Sequence, residues 1–185
     1  MIGCVLSAGL LTSTAATADK YEIDLSHSFI EFGTMHLGFS ILKGRFNKFS
    51  GEVNFNEPSS SDADSTTIEI DMTSVDSNWA ARDKHLRSAD FFDVDKYPTA
   101  KFVSKEVKVD SDKITIIGDF TLHGTTKSIT IDASKIADGK DPWGGFRVGF
   151  KGDFSFNRSD FGVSKNLGPK SEKVDISLYI EAVKK

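Results

Sequence analysis

From Asp19 onward, apolar residues alternate with polar ones at every second position, and the pattern keeps returning. Ile30, Phe32, Thr34 and His36 fall on one face of an extended segment, while Glu31, Gly33 and Met35 fall on the other. Successive side chains of a strand point to opposite faces, so a period of two reads as a half-buried strand and not as a helix. The alternation recurs in Val53 and Phe55, in Ile68, Ile70 and Met72, around Phe102, and in Ile114, Ile116, Phe120 and Leu122. It continues through Ile129 and Ile131, then Val148, Phe150, Phe154 and Phe156, and finally Val174, Ile176, Leu178 and Ile180. The chain therefore reads as roughly eight or nine strands, each with one apolar face. Turn-forming stretches part them: "NEPSSSDADS" at 56–65, "DSD" at 110–112, "HGTT" at 123–126 and "DGKDPWGG" at 138–145.

Many antiparallel strands with one apolar face build either a sandwich or a closed barrel. The segments "HSFIEFGTMHLGF" and "RVGFKGDFSFNR" carry the alternation well past the usual ~5–6 residues. Long strands with internal glycine suit a coiled barrel, because glycine lets the sheet bend. The prediction is an all-β, extended, eight-stranded antiparallel barrel with one short helix around residues 78–88. Asn78 is placed to cap that helix, which runs through "WAARDKHLR". The 15 Phe against 3 Tyr and 2 Trp indicate a dry interior, since a buried Phe needs no hydrogen-bond partner. Periodicity alone leaves open whether that interior is filled or hollow.

Residues 1–18, "MIGCVLSAGLLTSTAATA", carry no charge, an apolar run and then small residues ending Ala16-Thr17-Ala18. That is the pattern a signal peptidase accepts, so cleavage is expected after Ala18, leaving one domain over residues 19–185. The positively charged start of a signal peptide is missing, which predicts a start codon upstream of Met1. Cys4 is the single cysteine and precedes the apolar run, so it is no lipoprotein attachment site and no disulfide can form in the exported chain. Export without an anchor points to the periplasm. The net charge of −4 gives no electrostatic reason to bind nucleic acid or an anionic membrane surface. No later stretch approaches the ~20 apolar residues of a membrane span, so a membrane-embedded chain is not expected, though transient membrane contact is compatible with the sequence. A monomer and a homodimer both fit.

The most polar stretch, "RDKHLRSADFFDVDKYP" at 82–98, invites a metal or catalytic reading. Asp83 and His85 are two residues apart and lie on different sides of a helix, whereas a zinc site wants His at i, i+4. "DVDKYPTAKFVS" lacks the mid-loop Gly and final Glu of a calcium loop. Ser74, Ser77, His85 and Asp90 lie close in sequence, but no "GxSxG" nucleophile elbow occurs. The structural reading explains more: Trp79 and Leu86 face one end of the barrel, Arg82 and Arg87 pair with Asp90, Asp93 or Asp95, and the segment acts as a lid. In an extended segment Phe91 and Phe92 point in opposite directions, one into the barrel and one under the helix. His36 is either a head-group ligand or a core histidine bonded to a backbone carbonyl. Arg158 and Asp160 are expected to shape a turn, and Lys43, Arg45, Lys165 and Lys170 to stand at a barrel mouth.

Five stretches occur in a familiar order: "YEIDLSHSFIEF", "HLGFSILKGRFNKFSG", "RDKHLRSADFFDVDKYPTAKF", "GDFTLHGTTK" and "NRSDFG". Together with "DPWGG" at 141–145 they resemble the YceI-like family, over the whole chain after the leader. Phe120 and Thr34 depart from the family pattern, which usually has Leu and a larger aliphatic there; the Thr34 hydroxyl is expected on the cavity wall. The resemblance implies a lipocalin-like barrel around one long amphiphile (a polyisoprenoid, an isoprenoid quinone or a fatty-acyl lipid) with no enzymatic activity; no metal or other cofactor is expected. The inward residues expected to touch such a ligand are Ile30, Phe32, Thr34 and His36, then Phe55, Ile70 and Met72, and Phe91 and Phe92 of the lid. Phe102, Ile116, Phe120, Phe150, Phe154, Ile176 and Leu178 complete the set. The competing readings are a small hydrolase or isomerase using His36 or His85, and a ligand-free, stress-related filled barrel.

Overall fold

A computed structural model describes residues 18–56 and 63–185. The expected leader, apart from Ala18, and the middle of the 56–65 turn lie outside the described residues. The strands are β1 (Asp19–Ile23), β2 (Phe29–His36), β3 (Ser40–Phe46), β4 (Phe49–Phe55), β5 (Ser65–Asp71) and β6 (Val75–Asp76). After the helix α1 (Ala80–Arg87) come β7 (Thr99–Asp110), β8 (Lys113–Leu122), β9 (Thr125–Lys140), β10 (Phe146–Asn157) and β11 (Lys173–Lys184). No helix among the described residues is long and apolar enough to cross a membrane.

Eleven strands make eight staves, because three staves are interrupted. β1 and β2 lie end to end along β11, through Ile23↔Ala182 and Ile30↔Leu178. β3 and β4 form the next stave, paired to β2 and β1 respectively, and β5 with β6 forms the third. From β7 to β11 every strand pairs antiparallel with the next, and the β1–β11 pairing closes the ring. Closure joins the two ends of the sheet, which the period-two pattern alone does not determine.

Polar side chains make the interruptions. The Ser28 hydroxyl donates to the Glu181 carbonyl at 3.1 Å and accepts from the Glu181 amide at 2.9 Å, stitching β11 across the β1–β2 break. Ser74 does the same for the β3–β4 break, accepting from the Lys48 amide at 3.0 Å while its carbonyl accepts from Asn47. The β8–β9 turn is a tight pair, His123 and Gly124, both in the left-handed region (φ 51° and 74°), which matches the twist of a hairpin. β9 runs through Lys140, further than the expected turn at 138–145 allows. The reason is Asp141, whose carboxylate accepts from the Trp143 and Gly145 amides and confines the loop to 141–145.

Two apolar clusters share the barrel interior. The larger holds Phe32, Phe46, Phe102, Phe120 and Phe161, with Phe120 in ring contact with Phe154, Phe156 and Phe161. The smaller, at the end of the 110–113 and 141–145 turns, packs Tyr21, Phe55, Val107, Ile114, Val148 and Ala182 tightly, with Phe150 edge-on to Phe55. Two glycines make room for large rings. A Cβ on Gly44 would fall 2.3 Å from Phe32 Cζ, and one on Gly118 would fall 2.6 Å from Phe102 Cζ.

The helix lies within the span expected, but Asn78 does not cap it. Asn78 takes φ 63° outside the helix, and its amide donates to Asp76 at 2.9 Å. The start is held instead by Ser77, whose amide and hydroxyl both donate to the buried Asp83 carboxylate and whose oxygens accept from Arg82. Sequence spacing did not show this clasp, because Asp83 reaches backwards from inside the helix.

Candidate functional site

At the end of the barrel that carries α1, the core is hollow. A cavity of about 440 Å³ lies between the staves, within the range of small-molecule sites. Its wall is built from the inward positions of β2, β3, β5, β7, β8, β10 and β11, with Ile131 from β9. The α1 segment and residues 158–172 close over it with Trp79, Leu86, Phe91, Phe92, Val163 and Leu167. A second space of about 70 Å³ continues below, and Ile68, Phe102, Ile131 and Leu178 border both. Beneath that the smaller cluster is packed. The barrel is thus hollow in one half and filled in the other, which answers the question that periodicity left open.

The polar groups on the wall sit at one end. They are Thr34, His36, Arg82, His85, Arg158 and Ser171, all from the hairpin tip, the α1 segment or residues 158–172. Most already have protein partners. The Thr34 hydroxyl donates to the Lys173 carbonyl at 3.0 Å, so it ties β2 to β11 and does not present a free hydroxyl to the cavity as expected. Arg158 is 7% exposed and donates to the Ser171 and Val163 carbonyls at 3.0 and 2.7 Å while pairing with Glu172 at 3.2 Å. Hydrogen bonds from Ser159 and the neighbouring Arg158 charge hold Glu172 below the usual carboxylate range. This clasp fixes residues 158–172 as part of the wall, so the architectural role expected of Arg158 is what the structure shows. His36 is exposed at the mouth, not a satisfied core histidine, and its imidazole forms no hydrogen bond among the described residues.

The lid is folded differently from the extended segment expected. Hydrogen bonds from the Phe92 amide to the Leu86 carbonyl and from the Val94 amide to the Arg87 carbonyl curl residues 88–97 into consecutive turns. Phe91 and Phe92 therefore do not diverge as strand neighbours do, and both border the cavity. The Phe91 ring stands edge-on to His85 at 4.9 Å, and Phe92 packs 6.0 Å from Phe46. Asp90 does not pair with Arg82 or Arg87; it accepts from His85 at 2.8 Å and Lys165 at 2.7 Å, and these two bonds hold its carboxyl below the ordinary value. His85, the candidate base, is thus tied into a surface clasp between the lid and residues 158–172.

Of the residues singled out from sequence, Ile30, Phe32, Thr34, His36, Ile70 and Met72 border the large cavity. So do Phe91, Phe92, Phe102, Phe120, Phe154, Ile176 and Leu178. Phe55, Ile116 and Phe150 do not: they border the smaller space and belong to the packed cluster. Parity gives the face of a strand but not the height along the barrel axis, so it cannot separate the two levels. Phe156, already placed on the apolar face of its strand, lines the wall beside Phe154, and Leu42, Phe46, Phe161 and Val163 add to the wall or core without having been singled out. Leu42 and Phe46 share parity with each other and were legible; Phe161 and Val163 lie in irregular chain.

Outside the cavity, Asp24, His27 and Glu181 bring potential metal-ligand atoms within 4.8 Å of one another. Arg147 Nη1 stands 2.6 Å from both carboxylates and supplies the positive charge there. Hydrogen bonds from Ser26 and His27, then Arg147, hold Asp24 well below its ordinary value.

Comparison with known proteins places this geometry. The family model described as the YceI-like domain matches residues 21–182. A UPF0312 protein of Pseudomonas aeruginosa is 48% identical over 181 residues, covering 97% of this chain and 94% of its own. BcnA of Burkholderia cenocepacia has a similar fold, with TM-score 0.76 at 23% identity, over 86% of this chain and 98% of that one. A polyisoprenoid binding domain from Saccharophagus degradans, implicated in plant cell wall breakdown, superposes with TM-score 0.65 at 17% identity, over 89% of this chain and 98% of that one.

Proposed function

The chain belongs to the YceI-like family, and on that premise we propose that it is a non-enzymatic periplasmic carrier that holds one long-chain amphiphile, a polyisoprenoid, isoprenoid quinone or fatty-acyl lipid. The observation that carries this reading is the cavity of about 440 Å³ whose deep wall is wholly apolar and whose polar groups stand only at the α1 end. Such a wall has nothing to offer a polar substrate, whereas each CH₂ of a lipid tail moved into it from water gains roughly 0.8 kcal/mol. Ordering the tail offsets part of that gain, so a chain of many carbons is the ligand that profits. The tail points towards Phe102 and the head stays near His36, where an unpartnered imidazole can meet a carbonyl or hydroxyl.

The binding domain of the same fold in Saccharophagus degradans takes a polyisoprenoid, which supports this ligand class. The location is supported by the leader-like composition of residues 1–18. A fluorescent prenyl probe tests the proposal: saturable uptake of one probe per chain, displaced by unlabelled prenols and quinones but not by short alcohols, is expected. Failure of every long-chain probe to bind the folded protein would overturn it.

A further inference from the structure

The β2–β3 hairpin turns through Leu37 and Gly38 at φ 52° and 87°, with the Phe39 amide donating to His36 at 2.9 Å. A bulky non-glycine residue at positive φ is unusual and strained, and Leu37 gains no burial in return, because it is 55% exposed. Phe39 beside it is 88% exposed and Ile41 is 55% exposed. On the outer face the register sets Met35 against Ile41, and one step further back Gly33 against Lys43. From the other side Lys170 lies across the turn, so that a Cβ on Gly38 would be 2.7 Å from its Cδ. Neither lysine has a carboxylate partner among the described residues.

The hairpin also stands clear of the ring. β11 leaves β2 after Thr34, and β6 meets β3 only at Arg45 and Phe46, so the last turn of the hairpin has no strand beside it. Yet its inward residues His36 and Leu42 border the cavity, whose rim adds Trp79 (62% exposed) and Leu167 (37% exposed). An apolar tip with cations one step behind it, continuous with an apolar cavity, matches the layering of a bilayer interface.

We infer that this hairpin is a membrane-docking tip that seats the cavity mouth on the interfacial layer of an anionic bilayer. Leu37, Phe39 and Ile41 enter the acyl boundary, while Lys43 and Lys170 meet lipid phosphates. The inference rests on the carrier reading, since a lipid cargo must come from a bilayer. Each lysine brought near an anionic leaflet adds roughly fivefold to partitioning, and salt screens that part.

The test is cosedimentation of the purified protein with phosphatidylglycerol/phosphatidylethanolamine vesicles. The variants are L37N/F39S, K43E/K170E, and W143S as a control at the far end of the barrel, where Trp143 is 80% exposed. Asn tolerates the left-handed turn, so the hairpin variant keeps its fold, which circular dichroism checks. Wild type and W143S are expected to bind alike. L37N/F39S should lose at least tenfold, K43E/K170E should lose binding only at low salt, and prenyl-probe uptake from ethanol should be unchanged in all. Vesicle binding unchanged in L37N/F39S, or absent in wild type, overturns the docking tip. So does a wild-type dimer that L37N/F39S dissociates with no effect on vesicles, which would give the surface to a second copy. Normal probe uptake with any of these outcomes leaves the carrier reading standing; vesicle binding without any probe uptake defeats the carrier reading alone.

Discussion

Replacing Phe102 by Ala should lengthen the chain that the cavity accepts. Phe102 stands with Ile68, Ile131 and Leu178 between the main cavity of about 440 Å³ and the smaller one of about 70 Å³. Its ring lies over Gly118, which has no side chain to take its place. Truncation therefore joins the two spaces and adds the volume of the ring. One further isoprene unit brings about five carbons, a gross gain of about 4 kcal/mol at ~0.8 kcal/mol per CH₂. Ordering the added unit removes ~1 kcal/mol or more. Even a third of the gross gain, about 1.4 kcal/mol, is a tenfold shift in affinity. The truncation also costs stability, about 3 kcal/mol, at the low end for Phe→Ala because the ring already borders a space. Displacement of a prenyl probe by farnesol, geranylgeraniol and longer prenols would measure the preference. The longest tolerated prenol should gain at least tenfold over the next shorter one, relative to wild type. An unchanged length preference in folded Phe102→Ala would refute the reasoning, because it would mean that the tail ends above Phe102.

Leu37→Gly relieves the left-handed strain at φ 52° and should raise stability by about 1 kcal/mol, read as a higher midpoint in urea. Arg158→Leu strands the Ser171 and Val163 carbonyls and the Glu172 carboxylate, and should cost about 3 kcal/mol or more in thermal or urea unfolding while weakening probe binding through the loosened wall. Glu172 is held below its ordinary value of 4.5 by Ser159 and Arg158, so its contribution is present above that pH and fades as pH falls through the lowered folded value. Wild type should therefore melt above Glu172→Gln at pH 7, and the gap should close in acid; a gap that is constant with pH would contradict the clasp.

The sequence carried the staves and their inward faces because parity survives any register, as Ile30, Phe32 and Leu178 show. It also carried the helical insert, since "WAARDKHLR" is the one stretch where the alternation lapses into a helix-compatible pattern. The level of each residue along the barrel was not legible, since it depends on stagger between strands far apart in sequence. That is why Phe55, Ile116 and Phe150 were grouped with Phe102 and Ile176. The clasps were not legible either. Asp90 with Lys165 joins segments whose approach only the closed ring dictates, while Asp83 with Ser77 and Arg158 with Ser171 and Val163 are made by chain reversals that spacing alone does not specify. Nor did parity foretell that Phe91 and Phe92 would share a side, because turns set their direction.

The central claim is that the hollow half of the barrel holds one lipid tail. Native mass spectrometry of the protein purified without detergent, followed by organic extraction and lipid analysis, tests it most directly. The account predicts one long-chain prenyl or acyl lipid per chain, or its uptake when isoprenoid quinones are added, and no chemically altered product. A protein that stays at its apo mass before and after such addition would contradict it.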